Sequence, residues 1–298
     1  MKKTVLMIGC GDIALRIAPL LQEKYRIFGL FRHPDKALPF RSFGVRAIAG
    51  DLDQRGSLEK IAGIAQIIIH MAPPPNYGTR DTRTANLLAA LTKWTRSKSK
   101  ILPQQLVYIS TSGVYGDCQG EIINETRRLN PFNARAVRRV SAENQVRAWG
   151  RRNRIPVSIL RVPGIYAGDR LPVKRIHEGI PAFIAQDDGY TNHIHADDLA
   201  RIICAAIRYG KSGRIYNATD DTQMKMGDYF DLVADHFNLP RPPRIPRDEA
   251  AGRISPGMLS FMNESRRISN ARMKKELHVT LWYPTVAAGV KEVIVQNC

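Results

Sequence analysis

The stretch that decides the fold is Gly9-Cys10-Gly11-Asp12-Ile13-Ala14, which fits the pattern GxGxxA between a short apolar run and a segment with helical spacing. In such a unit the first glycine permits a tight turn. The second lets the pyrophosphate of a dinucleotide approach the backbone, and the alanine lets the helix pack closely on the sheet. The start of the helix offers free N–H groups to the phosphates. The pattern also fits an ordinary strand–turn–helix unit, but its place at the first such junction favours a dinucleotide site.

Apolar runs alternate with helical patterns along much of the chain. The predicted strands are Thr4–Ile8, Arg26–Phe31, Val45–Ala49, Gln66–Met71, Gln105–Ser110, Pro156–Arg161 and Arg214–Asn217. The predicted helices are Asp12–Lys24, Thr84–Thr95 and Ala134–Trp149. Because Pro19 removes a backbone donor, we expect it to kink the first helix. Short buried strands that alternate with helices predict an α/β fold with a doubly wound parallel sheet of about seven strands.

Composition and charge narrow the class of protein. The 298 residues are 44% hydrophobic and 24% charged, which excludes a disordered, collagenous or coiled-coil chain. Lys and Arg number 45 against 27 Asp and Glu, so the formal net charge of +18 favours anionic partners. Residues 127–175 hold thirteen Lys or Arg and two Asp or Glu. Aromatic residues are few there and no nucleic-acid-binding motif occurs, so we expect no nucleic-acid partner.

The chain carries no strong targeting signal. The apolar stretch after Met1-Lys2-Lys3 is short and ends at the glycine loop, and no run approaches the roughly 18 apolar residues that cross a bilayer. We therefore expect no membrane association. The four cysteines, Cys10, Cys118, Cys204 and Cys298, form no CxxC pair. Neither a metal site nor a disulfide framework is indicated, and we expect a reducing cytoplasmic location.

The end of the second strand bears on which dinucleotide is bound. An NAD site usually has an acidic residue there that holds the ribose 2′-hydroxyl. Here the sequence is Leu30-Phe31-Arg32-His33, without an acid, and the Arg32 guanidinium matches the oxygens of a 2′-phosphate. We favour NADP and keep NAD as the alternative. Asp51, after the third strand, either accepts from the adenine amino group or caps the following turn.

Eight further motifs follow the glycine loop. They are AGDLD at 49–53, IIIHMAPPP at 67–75, ISTSGVYGD at 109–117, LRVPGIYAG at 160–168, HIHADDLA at 193–200, YNATDD at 216–221, SNARMKKEL at 269–277 and YPT at 283–285. In this order they resemble the short-chain dehydrogenase/reductase superfamily, in its extended epimerase/dehydratase branch. One departure is Ala14, which stands where the last glycine of the usual GxxGxxG would be.

The resemblance implies a Rossmann-type domain with a small C-terminal α/β substrate domain. We predict the first over 1–165 and 190–219, and the second over 166–189 and 220–298, where the segments 170–188 and 220–280 have loop-rich sequences. The resemblance implies that His195 and Asp197 are mainly structural. It places the cofactor at Gly9, Cys10, Gly11, Asp12, Ile13, Arg32, Asp51, Leu52, Met71, Ala72, Pro73, Ser110, Arg139 and Val162.

The family's catalytic set is a Ser or Thr, a Tyr and a Lys four residues after the Tyr. The resemblance puts Thr111 at the Ser/Thr position, with Ser112 beside it. It puts Arg135 and Arg139 where the Tyr and the Lys are expected, and no YxxxK occurs in the chain. The family's helix asparagine is also replaced, by Arg80.

These replacements put ordinary catalysis in doubt, because arginine, with a pKa above about 12, is a poor proton shuttle. Arg139 can still supply the positive charge of the missing lysine, and Arg135 can bind a carboxylate or phosphate. Tyr115 is either a substitute proton carrier or part of the fold. The weaker candidates His70, His193, Asp187 and Asp188 have packing roles as their simpler explanation.

Two functions stay open. One is an NAD(P)-dependent oxidoreductase, or a nucleotide-sugar epimerase/dehydratase-like enzyme, that acts on an anionic small molecule with an atypical active site. The other is a non-catalytic NAD(P)-binding sensor or regulatory protein. Relatives often dimerise through helices such as Ala134–Trp149, but the arginines here oppose pairing, so the sequence allows a monomer or a homodimer.

Overall fold

A computed structural model describes residues 2–94, 99 and 101–295 of the chain. Its strands are β1 (Lys3–Ile8), β2 (Tyr25–Phe31), β3 (Arg46–Ala49), β4 (Ile67–His70), β5 (Gln105–Thr111), β6 (Ile122–Ile123), β7 (Val157–Val162), β8 (Gly164–Tyr166), β9 (Ala182–Phe183), β10 (Tyr190–Thr191), β11 (His193–His195), β12 (Ile215–Asn217), β13 (Met224–Lys225), β14 (Arg244–Ile245) and β15 (Arg267–Ile268). Its α-helices are α1 (Asp12–Leu21), α2 (Thr82–Leu91), α3 (Ala134–Asn153), α4 (Val173–His177), α5 (Ala196–Tyr209), α6 (Met226–His236), α7 (Pro256–Met262), α8 (Ala271–Leu277) and α9 (Val286–Val295).

Seven strands form the central sheet, in the order β12-β7-β5-β4-β1-β2-β3. Every neighbouring pair is parallel. The direction of winding reverses between β1 and β4, and ligands of doubly wound sheets bind at the carboxyl ends of the strands at such a point. The predicted α/β fold is confirmed, and each of the seven predicted strands lies within one residue of its expected limits.

Both faces of the sheet are covered by helices, which explains why its strands are apolar along their length. Helices α1, α5 and α8 contribute to the buried cluster on one face, which contains Ile17, Ile202 and Leu277. Helices α2 and α3 cover the other face through Leu87 and Trp149 among other residues. The loops at the carboxyl ends of the strands are therefore left to form a site.

The helix limits differ from the predicted ones. Helix α1 ends at Leu21, so Pro19 lies in its last turn and not in its interior. Helix α2 begins earlier than expected and ends at Leu91, while Thr95, its predicted end, lies outside the described residues. Helix α3 continues to Asn153 and is ended by Arg154 in the left-handed conformation, with φ 57°.

The C-terminal part of the chain has more regular structure than its loop-rich sequence predicted. Helices α6 and α9 pack around Phe230 and Val290 in a separate buried cluster that includes Tyr166. Helix α8 instead packs against α5 and the central sheet, through Met273 among other residues. The exact domain limits stay a prediction.

In the ranges the structure describes, no helix combines the length and the apolar character that a membrane span needs. Cys10, Cys118 and Cys204 are free thiols, and Cys298 lies outside the described residues. The same ranges contain no group of three or more His, Cys, Asp or Glu side chains arranged to hold a metal ion.

Candidate functional site

A cleft of about 580 Å³ lies at the carboxyl ends of the central strands, and we call it the cofactor cleft. All the residues predicted to bind the cofactor line it: Gly9, Cys10, Gly11, Asp12, Ile13, Arg32, Asp51, Leu52, Met71, Ala72, Pro73, Ser110, Arg139 and Val162. The structure therefore brings these residues together. Their contact with a bound dinucleotide stays a prediction.

The glycine loop has the geometry that a pyrophosphate needs. Gly9 has φ +88°, and a Cβ on it would lie 2.5 Å from the Ala72 nitrogen, so only glycine fits there. A Cβ on Gly11 would meet nothing within 4 Å, which leaves space for a ligand against the backbone. No side chain caps α1 at Gly11, so the first N–H groups of this helix are free to bind phosphate oxygens.

The one acidic side chain in the first turn of α1 is neutralised. Asp12 Oδ2 accepts from Arg16 Nε at 3.0 Å and lies 3.1 Å from Arg170 Nη2. Arg16 Nη1 also donates to Asp197 Oδ1 at 2.6 Å, which ties α1 to α5. These ion pairs reduce the repulsion between Asp12 and a bound pyrophosphate.

Positive groups predominate where the ribose of the dinucleotide is expected. Arg32 and Lys36 line the cleft, and neither side chain has a hydrogen bond or ion pair within the described part of the chain. Arg83 lines it too, but both oxygens of Asp53 accept from this guanidinium, at 2.8 and 2.6 Å. This pairing lowers the pKa of Asp53. Arg32 and Lys36 are therefore the cations that remain available to a 2′-phosphate.

The hydrogen bonds of Asp51 agree with the alternative in which this residue caps the turn that follows β3. Its Oδ1 accepts from the Asp53 N–H at 2.9 Å, and its own N–H donates to Ser57 Oγ at 2.8 Å. The side chain also lines the cofactor cleft. Its position is thus fixed by local hydrogen bonds before any ligand is considered.

A second cavity of about 450 Å³ adjoins the cofactor cleft, and we call it the adjoining cavity. Thr111, Arg135 and Arg170 are among the residues that line both. Thr111 Oγ1 accepts from the Gly113 N–H at 3.3 Å, so it caps the 3-10 helix Ser112–Tyr115. Ser112 itself lines only the adjoining cavity. The predicted Ser/Thr position therefore stands where the two cavities meet.

Arg135 and Arg139 occupy different environments, although both lie on α3. Arg139 is buried, and its Nη1 donates to the carbonyl oxygens of Ala72 and Ile109 at 3.4 and 3.0 Å and to Tyr108 Oη at 3.1 Å. Arg135 is exposed to the cavities and has no hydrogen bond or ion pair within the described residues. Partial desolvation, with Arg139 and Arg138 nearby, lowers the pKa of Arg135. Arg139 thus braces the strand ends, whereas Arg135 is a cation without a partner.

Tyr115 lies outside both cavities, contrary to its candidacy as a proton carrier. Its side chain is buried, and its hydroxyl donates to Asn217 Oδ1 at 2.7 Å. The Arg161 guanidinium lies over its ring, 4.7 Å from the centroid. Burial raises the pKa of Tyr115. The hydroxyl is thus committed to a structural hydrogen bond, which favours the alternative in which Tyr115 is part of the fold.

The sequence did not reveal a buried ion pair beneath the site. Glu143 on α3 accepts from Arg161 on β7 at 3.0 and 2.8 Å, and Ser110 Oγ donates to Glu143 Oε1 at 2.7 Å. Ser110 lines the cofactor cleft, so the pair supports its position from behind. Arg161 belongs to the motif at 160–168, but the motif does not show its partner, because the contact joins a helix to a strand 18 residues further along the chain.

The weaker candidates have packing roles. His70 Nε2 bonds to Thr84 Oγ1 at 2.9 Å, and burial lowers the pKa of His70 to about 3. Asp187 Oδ2 accepts from the Arg247 N–H, and Asp188 Oδ2 accepts from the Gly227 N–H. His193 lines the adjoining cavity, and burial lowers its pKa to about 3. His195, predicted to be structural, caps α5 by accepting from the Asp197 N–H at 3.2 Å.

Much of the adjoining cavity was not predicted. Its wall includes Tyr166, Tyr190, Tyr229, Glu264 and Arg266. These residues come from segments up to 100 positions apart, and no local spacing connects them. Arg80 is exposed and lines neither cavity.

Comparisons with known proteins agree with this geometry. The model of the NAD dependent epimerase/dehydratase family matches residues 16–219, about two thirds of the chain. Human dTDP-D-glucose 4,6-dehydratase is 26% identical over 135 residues, which are 41% of this chain and 37% of that protein. The match thus spans well under half the length of this curated relative.

Two solved structures match over nearly the whole chain. A functionally unknown conserved protein from Silicibacter pomeroyi has a TM-score of 0.80 at 28% identity, with 99% of each chain covered. UDP-glucuronic acid 4-epimerase from Bacillus cereus, in complex with NAD, has a TM-score of 0.74 at 19% identity, with 98% of this chain and 99% of that chain covered. The second likeness shows the fold alone. Because the family model matches more than half of the chain, the chain belongs to the NAD dependent epimerase/dehydratase family.

Proposed function

We propose that this protein is an NADP-preferring oxidoreductase, or a nucleotide-sugar epimerase/dehydratase-like enzyme, that acts on an anionic small molecule with an atypical active site. One observation carries the proposal: Thr111 and the unpaired Arg135 stand together where the cofactor cleft meets the adjoining cavity. A substrate in the adjoining cavity would reach Thr111 and Arg135 beside the nicotinamide end of the cleft.

The chemistry divides between the cofactor and the chain. When bound, the nicotinamide supplies or accepts a hydride. Thr111 donates a hydrogen bond to the substrate oxygen that changes oxidation state, or accepts one from it, and so fixes its position. Arg135 binds a carboxylate or phosphate of the substrate, since its guanidinium donors match those oxygens. Because arginine does not exchange its proton near neutrality, solvent accepts the hydroxyl proton when the substrate is oxidised and supplies it when the substrate is reduced.

The preference for NADP rests on charge. Arg32 and Lys36 have no side-chain partners within the described ranges, and the acidic residues that line the cleft, Asp12 and Asp51, are held by the contacts given above. No acidic side chain stands at the end of β2 to bind a ribose 2′-hydroxyl. A 2′-phosphate would therefore meet two cations that form no ion pair within the described residues.

A non-catalytic NAD(P)-binding sensor is the second candidate. One observation favours it: within the described residues, no tyrosine lines the cofactor cleft. Under this alternative the dinucleotide binds and no hydride moves.

The test is incubation with NADPH, or with NADP, and a panel of sugar phosphates, sugar acids and nucleotide sugars. Net oxidation or reduction is followed by absorbance at the nicotinamide band. Epimerisation or dehydration returns the hydride to the substrate and leaves the cofactor unchanged, so it is followed by chromatography of the products. We expect Thr111→Ala to lower kcat at least about tenfold and to leave NADP affinity unchanged, because it removes a hydrogen bond to the reacting oxygen. We expect Arg135→Ala to raise KM about tenfold. Arg151→Ala, which removes an exposed arginine from the same helix outside both cavities, is the control. Tight cofactor binding with neither a change in the nicotinamide nor a new product from any panel member would instead support the sensor.

A further inference from the structure

Part of the wall of the adjoining cavity is apolar and accessible. Phe261 lines this cavity and is 58% exposed, and Met258, three positions earlier on α7, is half-buried and lines it too. Met226 and Ile165 are further half-buried residues of the wall. Covering exposed apolar surface with an apolar ligand is favourable, and the flexible methionine side chains adapt to the shape of that ligand. These side chains therefore favour an apolar group in the cavity.

Polar side chains of the same wall are committed to partners within the protein. Asn192 Nδ2 donates to the Arg266 carbonyl oxygen at 2.9 Å, and its Oδ1 accepts from the Ile268 N–H at 3.0 Å. Arg266 Nη1 donates to Glu264 Oε2 and to the Gly116 carbonyl oxygen, each at 2.7 Å. Glu264 Oε1 and Arg266 Nε have no hydrogen-bond partner among the described residues, but both atoms are buried and expose almost no surface. These groups therefore offer a ligand few free donors or acceptors.

The unpaired positive charge of the cavity lies close to its exposed aromatic ring. Arg135 has no hydrogen bond or ion pair within the described residues, whereas Arg170 lies in the ion pair described above. Asn133, two positions before Arg135, donates to Ser260 Oγ at 3.4 Å, so the start of α3 contacts α7. Ser260 directly precedes Phe261. One small molecule in the cavity can therefore contact both the guanidinium and the ring.

Sugar hydroxyls would find few partners in this cavity. Each hydroxyl that leaves water needs a free donor or acceptor on the wall, or its hydrogen bonds to water are lost without replacement. An aryl or alkyl group has no such requirement, and its burial stabilises the complex in proportion to the area covered. The volume of about 450 Å³ lies in the range of roughly 300–1,000 Å³ that holds small organic ligands.

We propose that the adjoining cavity binds a substrate that combines an apolar body, aryl or alkyl, with one anionic group, and not a polyhydroxylated sugar. The apolar body lies against Phe261 and Met258, and the anionic group binds Arg135 beside Thr111. This inference rests on the proposed function and names a substrate class for the same site. Among the activities proposed above, it favours the oxidoreductase over the nucleotide-sugar enzyme.

The experiment measures binding to the full chain saturated with NADP, by isothermal titration calorimetry. Three probes carry an apolar body: hexanoate, 3-phenylpropanoate and hexyl phosphate. Their partners carry the same charged group on a hydroxylated body: D-gluconate, D-glucuronate and D-glucose 6-phosphate. We expect at least one apolar probe to bind about tenfold more tightly than its partner, which corresponds to the burial of about two methylene groups.

Phe261→Ala should lower the affinity for the preferred apolar probe about fivefold, because it removes the ring that the probe covers. The affinities for the hydroxylated partner and for NADP should stay unchanged. Phe132→Ala is the matched control, because Phe132 is also an exposed phenylalanine, at 82%, but lies outside both cavities. Met258→Gln is a second test, since it keeps the length of the side chain and makes its end polar.

The results separate the two proposals. Hydroxylated probes that bind as tightly as their apolar partners, or a preference that both Phe261→Ala and Met258→Gln leave unchanged, would overturn the inference and leave the proposed function standing. Apolar probes that bind as expected, in a protein without turnover on any substrate, would support the ligand class and count against catalysis. Failure of every probe to bind, although NADP binds, would count against both proposals.

Discussion

The cofactor cleft and the adjoining cavity are built from different kinds of segment, although they share Thr111 and Arg135. The cofactor cleft is formed by the carboxyl ends of parallel strands and the short loops that follow them. Each segment that lines it is a strand end or the loop next to it in the sequence, such as the glycine loop between β1 and α1. The adjoining cavity combines the loop after β5 with β10, α6, α7 and the segment before β15, all outside the central sheet.

This difference indicates which of the two regions can change its ligand specificity without loss of the fold. The sheet fixes the cofactor cleft, because moving any strand end would break ladder hydrogen bonds and the buried clusters on both faces. The adjoining cavity depends on side chains from short elements, and its wall includes Glu264, Arg266 and His193, which are buried but incompletely hydrogen-bonded. Its chemistry can therefore vary while the cofactor site stays the same.

The largest expected effect concerns a carboxyl group beside the adjoining cavity. Asp220 is 2% exposed, and its Oδ2 has no hydrogen-bond partner within the described chain. Burial raises the pKa of Asp220 to about 7, and its charge in turn contributes to the raised pKa of Tyr229 on the cavity wall. Below pH 4 the carboxyl is protonated in both states. As the pH rises from 4 to 7 the unfolded chain loses this proton first, so the free energy of unfolding falls.

Asp220→Asn should remove this pH dependence. The free energy of unfolding of the wild type falls between pH 4 and pH 8, and that of the variant does not. The difference between the two should therefore change in favour of the variant by up to about 4 kcal/mol over this range, the value that corresponds to the raised pKa. Urea denaturation at several pH values measures it. Asp221→Asn, at the neighbouring partly exposed carboxylate that pairs with Lys274 at 2.6 Å, controls for the loss of a charge as such. Parallel curves for wild type and Asp220→Asn would mean that Asp220 is ionised in the fold.

The next effect tests how firmly the sheet fixes the cofactor cleft. Gly9→Ala should lower the free energy of unfolding by about 3 kcal/mol, because the new Cβ meets the backbone of Ala72 and the residue has φ +88°. Gly11→Ala should leave that free energy nearly unchanged, since its Cβ meets nothing within 4 Å. The same Cβ should weaken dinucleotide binding at least about tenfold, by occupying space that the pyrophosphate needs.

Chemical denaturation and NADP titration of both variants separate the role of Gly9 in stability from the role of Gly11 in cofactor binding. Equal stability losses in Gly9→Ala and Gly11→Ala would show that the loop is not shaped as described. Unchanged cofactor affinity in Gly11→Ala would place the pyrophosphate elsewhere in the cleft.

The two regions also differ in how far the sequence predicts them. The strands of the sheet could be found because buried parallel strands form nearly continuous apolar runs, and the glycine loop because a tight turn and a close approach restrict the residue type. The sequence left the role of Tyr115 open, because its proximity to Thr111 does not show that its hydroxyl bonds to Asn217. The Glu264–Arg266 pair was not predictable, since its place in the cavity depends on contacts with residues about 150 positions away.

The smallest expected effect concerns the choice of cofactor, which is set at the end of β2. Arg32→Ala should weaken NADP binding about tenfold and leave NAD binding within about twofold, because the arginine makes no side-chain hydrogen bond or ion pair in the described chain and only NADP carries the 2′-phosphate. Fluorescence titration of the two dinucleotides against each variant measures this. Arg26→Ala, in β2 just before Arg32 but outside the cleft, is the control. The NADP effect should shrink at high salt, since Arg32 is exposed and its interaction is screened. Equal losses for both dinucleotides would assign Arg32 to a group that they share, and would leave the preference for NADP without its main support.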